Sequence, residues 1–129
     1  MVGCECETRA MEMLGVHHVA ICVDDVEVAR EFYVDRLGCS ERTDRPDFGF
    51  PGAWLDAGAQ QIHLMQLAAN DRVPLQHFAL QVANLDAAVG ELEAQGVEVR
   101  RSTYVPGAGH QAFLKDPSGN EIELNQPDH

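Results

Sequence analysis

Four side chains with metal-donor chemistry stand at matched places in this chain. His18 opens the run His-Val-Ala-Ile-Cys-Val, and His77, fifty-nine positions on, opens His-Phe-Ala-Leu-Gln-Val. His63 sits in Ile-His-Leu-Met-Gln, and Glu123, sixty positions on, sits in Ile-Glu-Leu-Asn-Gln. Neutral imidazole donates a lone pair without adding charge, and a carboxylate offsets part of an ion's charge while still able to take up a proton. If two repeats pack about a pseudo-twofold axis, the pairs His18/His77 and His63/Glu123 surround one centre. Three nitrogens and one oxygen suit a divalent first-row ion. A single strand histidine is usually a hydrogen-bonded packing residue; the matched placement of all four is what favours a shared site.

The elements that must position these residues follow from the same repeat. Each half reads as a strand, a helix and three strands: 16–23, 25–37, 39–45, 52–57 and 60–66, then 76–83, 85–95, 97–101, 110–115 and 120–125. Asp24 or Asp25 and Asn84 are candidate N-caps. Val26-Ala29-Phe32-Tyr33 and Leu85-Ala88-Val89-Leu92 follow at helical spacing, and Gly38 and Gly96 end the helices. The offset between halves grows from fifty-nine to sixty at the turn Asp116-Pro117-Ser118-Gly119-Asn120, which holds one extra residue. The expected organisation is a flexible extension over 1–13, a first module over 14–69, a linker over 70–75 and a second module over 76–126.

Alternation along a strand sorts the side chains into faces. Val19, Ile21 and Val23 share the face that covers a helix, as do Phe78, Leu80 and Val82, Ile62 and Leu64, and Ile122 and Leu124. The opposite face carries His18, His63, His77 and Glu123, with small Ala20 and Ala79 leaving space beside them. Gln81, Asn125, Tyr104, Arg45 and His110 are candidate pocket contacts. His17 falls on the helix side by parity; Trp54, Phe113, Phe32 and Tyr33 read as core, and Glu91, Glu93 and Glu98 as solvated surface.

Composition narrows the function classes. The 129 residues carry 21 Asp and Glu against nine Lys and Arg, for a formal charge of −12, which opposes sequence-independent attraction to nucleic acid or anionic lipid. Apolar stretches such as Val19–Val23 are far shorter than the roughly 18 residues of a membrane span. The acidic start lacks the pattern of a signal peptide, so a cytoplasmic protein with a small-molecule partner is expected. Cys4, Cys6, Cys22 and Cys39 are confined to the first third of the chain, which does not suit a disulfide framework.

From Leu14 to Gln126 the chain resembles the vicinal oxygen chelate superfamily of glyoxalases, bleomycin-resistance proteins and extradiol dioxygenases. The resemblance rests on His18-Val-Ala-Ile-Cys-Val-Asp-Asp25 with Phe32-Tyr33 and Leu37-Gly38, on His77-Phe-Ala-Leu-Gln-Val82, and on Asp116-Pro-Ser-Gly-Asn-Glu-Ile-Glu-Leu124. It implies an α+β fold of two βαβββ modules in tandem forming a cupped mixed sheet. It also implies one divalent metal ion per site (Zn, Ni, Co, Mn or Fe(II)), held from the first and last strand of each module by His18, His63, His77 and Glu123, and a homodimer. Glyoxalase I typically carries a carboxylate in the last strand of both modules, where this chain has His63 and Glu123. Extradiol enzymes use two histidines and one carboxylate, leaving room for O2 that a fourth ligand removes. Thiol-transfer resistance enzymes usually add a basic tail, which is absent from Asn125-Gln-Pro-Asp-His129. The reading this leaves is a metal-dependent lyase or isomerase acting on a small oxygen-chelating carbonyl substrate through an enolate-type intermediate, with Glu123 as ligand and base. The alternatives are a drug-binding protein without catalysis and an extradiol-type dioxygenase.

Overall fold

The computed structural model describes residues 15–67 and 77–128. The proposed extension over 1–13, the linker over 70–75, Cys4, Cys6 and His129 lie outside the described residues. The first half contains β1 (His18–Val23), α1 (Val26–Glu31), a π-helical turn (Phe32–Arg36), β2 (Ser40–Glu41), β3 (Gly52–Ala57) and β4 (Gln60–Gln66). The second contains β5 (His77–Gln81), α2 (Leu85–Ala94), β6 (Arg100–Arg101), β7 (His110–Lys115) and β8 (Glu121–Gln126). They form two four-stranded mixed sheets, ordered β1-β4-β3-β2 and β5-β8-β7-β6. β1 with β4 and β5 with β8 are parallel; the remaining pairs are antiparallel. The fold is α+β, as the repeat implied.

Local chemistry explains the element ends. Asp25 Oδ1 accepts from the backbone N–H of Glu27 at 2.9 Å and of Val28 at 3.2 Å, and Asn84 Oδ1 accepts from Ala87 N–H at 3.0 Å, so both N-caps satisfy otherwise orphaned donors. Gly38 and Gly96 close the helices at φ +88° and +84°, a region that favours glycine. The first helix departs from the single α-helix expected over 25–37. Past Glu31 it widens, with Leu37 N–H bonded to Phe32 C=O at 3.2 Å, and the turn carries Tyr33 into the core with no exposed surface. The second strand of each half is only two residues long, against the expected 39–45 and 97–101. Each pairs on one side only, where charged residues blunt an edge.

The core forms where helices meet sheets. Val26 and Ala29 from α1 and Leu85, Val89 and Leu92 from α2 pack with Ala53, Leu55, Ile62 and Leu64 and with Ala112, Leu114, Ile122 and Leu124 in one cluster. Full burial of such a Leu, Ile or Val is worth about 1.5–3 kcal/mol each.

The extra residue of the Asp116–Asn120 turn has a structural use. The turn reaches from the second half to the first. Tyr33 Oη donates to Asp116 Oδ2 at 2.9 Å, Asn120 Nδ2 donates to Cys22 C=O at 3.0 Å, and Asp24 N–H donates to Ser118 Oγ at 2.8 Å. The far end of β1 is thereby tied to the residue just before β8. No helix among the described residues is long and apolar enough to cross a membrane.

Candidate functional site

Parallel pairing of the first and last strand sets the donors of each module side by side. In the first, Ala20 lies opposite His63, and the diagonal neighbour His18 brings its ring over His63 with centroids 3.9 Å apart and planes 14° from parallel. Trp54, directly opposite His63 on β3, stacks on its other side at 4.3 Å and 9°. His63 Nε2 donates to Gln61 Oε1 at 2.8 Å, and His17 and His18 share a hydrogen bond between their Nδ1 atoms at 2.9 Å. Burial, reinforced by the neighbouring imidazoles of His18 and His17 and by the Arg42 and Arg45 guanidiniums, holds the His63 pKa below its usual range. His63 is therefore neutral at pH 7, the form that donates a lone pair.

In the second module, His77 lies opposite Glu121 and reaches the next residue on that face. His77 Nε2 donates to Glu123 Oε1 at 3.0 Å. The other oxygen, Oε2, accepts from Asn125 Nδ2 at 2.8 Å, and the same amide reaches Ala108 C=O at 3.0 Å. Glu123 is 6% exposed, so both carboxylate oxygens are oriented by hydrogen bonds inside the protein rather than by bulk water.

The structure brings the four donor residues together as two pairs, His18/His63 and His77/Glu123. Among the described residues no group of three or more His, Cys, Asp or Glu could hold a metal ion. The convergence of all four on one centre, expected from a pseudo-twofold packing, is thus absent within the described chain. The physical reason is the strand pairing: hydrogen bonding joins β1 to β4 and β5 to β8, each within its own sheet, and among the described residues no ladder joins one sheet to the other. In donor type the pairs suit a divalent first-row ion; in number each falls short of a complete shell.

The other sequence candidates divide. Gln81 is exposed on the His77 face of β5 and lies opposite Asn125, so both belong with Glu123. Arg45 lies in the β2–β3 loop, its guanidinium 5.1 and 5.4 Å from the Phe48 and Phe50 ring centroids and bonded to Phe50 C=O at 3.0 Å. Tyr104 and His110 stack on each other at 4.4 Å at the start of β7, and Tyr104 Oη donates to Asp128 Oδ1. His110 shares its strand parity with buried Ala112 and Leu114, away from the Glu123 face.

Sequence reasoning misplaced two residues. Trp54 and Phe113 are half-buried on the donor face rather than core. Phe113 lies opposite Glu123 and meets the His77 ring edge-on at 6.1 Å. Apolar residues occur on both faces of β3 and β7, but the polar Asp56 and Lys115, two positions on and so on the same face as the two rings, carried the signal.

Comparison with known proteins agrees with this architecture. The family model for the Glyoxalase/Bleomycin resistance protein/Dioxygenase superfamily matches residues 15–124. The uncharacterized protein YwkD of Bacillus subtilis (strain 168) is 30% identical over 127 residues, covering 88% of this chain and 98% of that protein. The mitochondrial methylmalonyl-CoA epimerase of Homo sapiens is 27% identical over 128 residues, covering 86% and 73%. The crystal structure of a candidate glyoxalase family protein from Bacillus anthracis superposes with a TM-score of 0.83 at 27% identity, covering 93% of this chain and all of that one. With its two β-α-β-β-β halves and a family match over most of its length, this chain belongs to the glyoxalase/bleomycin resistance protein/dioxygenase superfamily.

Proposed function

We propose that this protein is a divalent-metal-dependent lyase or isomerase acting on a small carbonyl compound that presents two neighbouring oxygens. The observation that carries the reading is Glu123: a buried carboxylate held by His77 and Asn125, on the strand equivalent to the one that carries the neutral His63. His18, His63, His77 and Glu123 would hold the ion, the two pairs meeting when a first module faces a second, most simply across a homodimer. A bound divalent ion supplies Lewis acidity toward the substrate's paired oxygens.

The chain's own groups do the rest. Glu123 removes the proton from the carbon next to the carbonyl; the C–H electron pair forms a carbon–carbon double bond as the carbonyl π pair moves onto oxygen, giving an enolate, and return of the proton to carbon completes an isomerisation. Asn125 fixes Glu123 Oε2 so that the carboxylate keeps one orientation through both transfers. Glu123→Gln is expected to lower turnover far more than substrate binding.

A second reading, a small-molecule-binding protein without catalysis, is favoured by one observation: among the described residues the donors gather only in pairs. Elemental analysis of untagged protein, with His77→Ala and Glu123→Ala beside it, tests the metal site, and proton exchange next to a carbonyl separates an enzyme from a metal-bound binder. About one divalent ion per site, lost in both variants, supports the enzyme reading. Wild-type protein that takes up no metal even on reconstitution refutes it.

A further inference from the structure

The donor faces of the two modules repeat a cross-strand row. In the first, Arg42 (bonded through N–H to Trp54 C=O at 2.8 Å) is followed by Trp54, His63 and Ala20; in the second, Arg100 is followed by Phe113, Glu123 and Ala79. Each row therefore runs from a cation to an aromatic ring, a donor and a gap. We infer from these rows that the substrate bears a flat, uncharged aromatic or conjugated group next to its chelating oxygens, seated against Trp54 and Phe113; this rests on the vicinal-oxygen reading above.

Three features support that class. Trp54, His63 and His18 stack in parallel across the strands at 4.3 and 3.9 Å, so their edges rather than their faces look out of the sheet. Ring edges carry partial positive charge and attract the negative face of another π-system. Exposed Phe48 extends this row, its centroid 6.1 Å from Trp54. Beside each donor, alanine leaves room for a planar body where a larger side chain would fill it.

The charges in the rows argue against a phosphate or phosphonate group. Arg42 is held by Asp44 and Asp56, both at 2.8 Å, and Arg100 by Glu121 at 3.1 Å while lying 5.3 Å from the Phe113 centroid. Both guanidiniums are thus already neutralised, in a chain of formal charge −12. A multiply charged anion would have to displace an existing carboxylate.

The test uses four metal chelators: benzoylformate, cyclohexylglyoxylate, glyoxylate and phosphonoformate. Each is titrated into metal-saturated protein, followed by calorimetry and, in the wild type, by fluorescence of Trp54, the chain's only tryptophan. Benzoylformate is expected to bind roughly three- to tenfold tighter than the equally bulky but saturated cyclohexylglyoxylate. In Trp54→Leu and Phe113→Leu that ratio should fall toward one. Because it is taken within each variant at saturating metal, a general loss of affinity cancels. Equal binding of the two ring compounds, or tightest binding of phosphonoformate, overturns the proposal while metal-dependent chelation leaves the vicinal-oxygen reading standing. Metal-loaded protein that binds none of the four overturns both.

Discussion

Removing the Asp116 carboxylate should loosen the joint between the two modules. Its Oδ1 accepts from Ser118 N–H at 2.9 Å and Asn120 N–H at 2.7 Å; its Oδ2 accepts from Tyr33 Oη at 2.9 Å and Asn120 Nδ2 at 2.8 Å. Tyr33 has no exposed surface, and burial, with the nearby carboxylate, pushes its phenol pKa far above the usual range. In Asp116→Ala the buried hydroxyl loses this acceptor, which costs about 1–3 kcal/mol. The half-buried turn groups recover part of their loss from water, which brings the total to about 3–4 kcal/mol. For a chain of this size that corresponds to a drop in Tm of about 10–15 °C. Tyr33→Phe removes one donor but leaves the carboxylate its other three, costing about 1–1.5 kcal/mol. The double variant is the decisive one: with Asp116 gone, deleting the orphaned hydroxyl should cost nothing or restore some stability. Urea unfolding of the four proteins followed by circular dichroism gives a coupling energy of at least about 1 kcal/mol if the clasp acts through this bond. Strictly additive losses would refute the reasoning.

Three further outcomes follow from packing and burial. Leu55→Ala opens a cavity under α1 at a residue with no exposed surface and should lower stability by about 2–5 kcal/mol in urea unfolding. At Gly52 a Cβ would come within 2.5 Å of Leu64 C=O and 2.6 Å of Arg45 Nη2, so Gly52→Ala should cost about 1–3 kcal/mol by the same assay and displace Arg45. Burial pushes the Cys39 thiol pKa up, so the thiol stays protonated to higher pH than a free cysteine. Its alkylation by iodoacetamide, read by peptide mass mapping, should therefore lag that of half-buried Cys22 at pH 8.5 and accelerate only at higher pH.

Much of the architecture was written in local pattern. The repeat from His18 and from His77 located both halves, Asp25 and Asn84 marked helix starts, and Gly38 and Gly96 marked their ends, because caps and periodicity are set by near neighbours in the chain. Strand alternation likewise placed Ile62 and Leu64 against the helix and His63 opposite them. Tertiary structure decided what depends on distant partners. Trp54 and Phe113 face the donors because Ala53, Leu55, Ala112 and Leu114 already fill the helix side. The helix widens at Tyr33, whose hydroxyl meets a carboxylate eighty-three residues away. The one-residue insertion at Asp116–Asn120, visible only as a change of offset, became the clasp that ties the second half to β1. The four donors remain two pairs because strand pairing acts within each sheet, whereas their separation across sheets is set by how two folded faces pack, which no local period encodes.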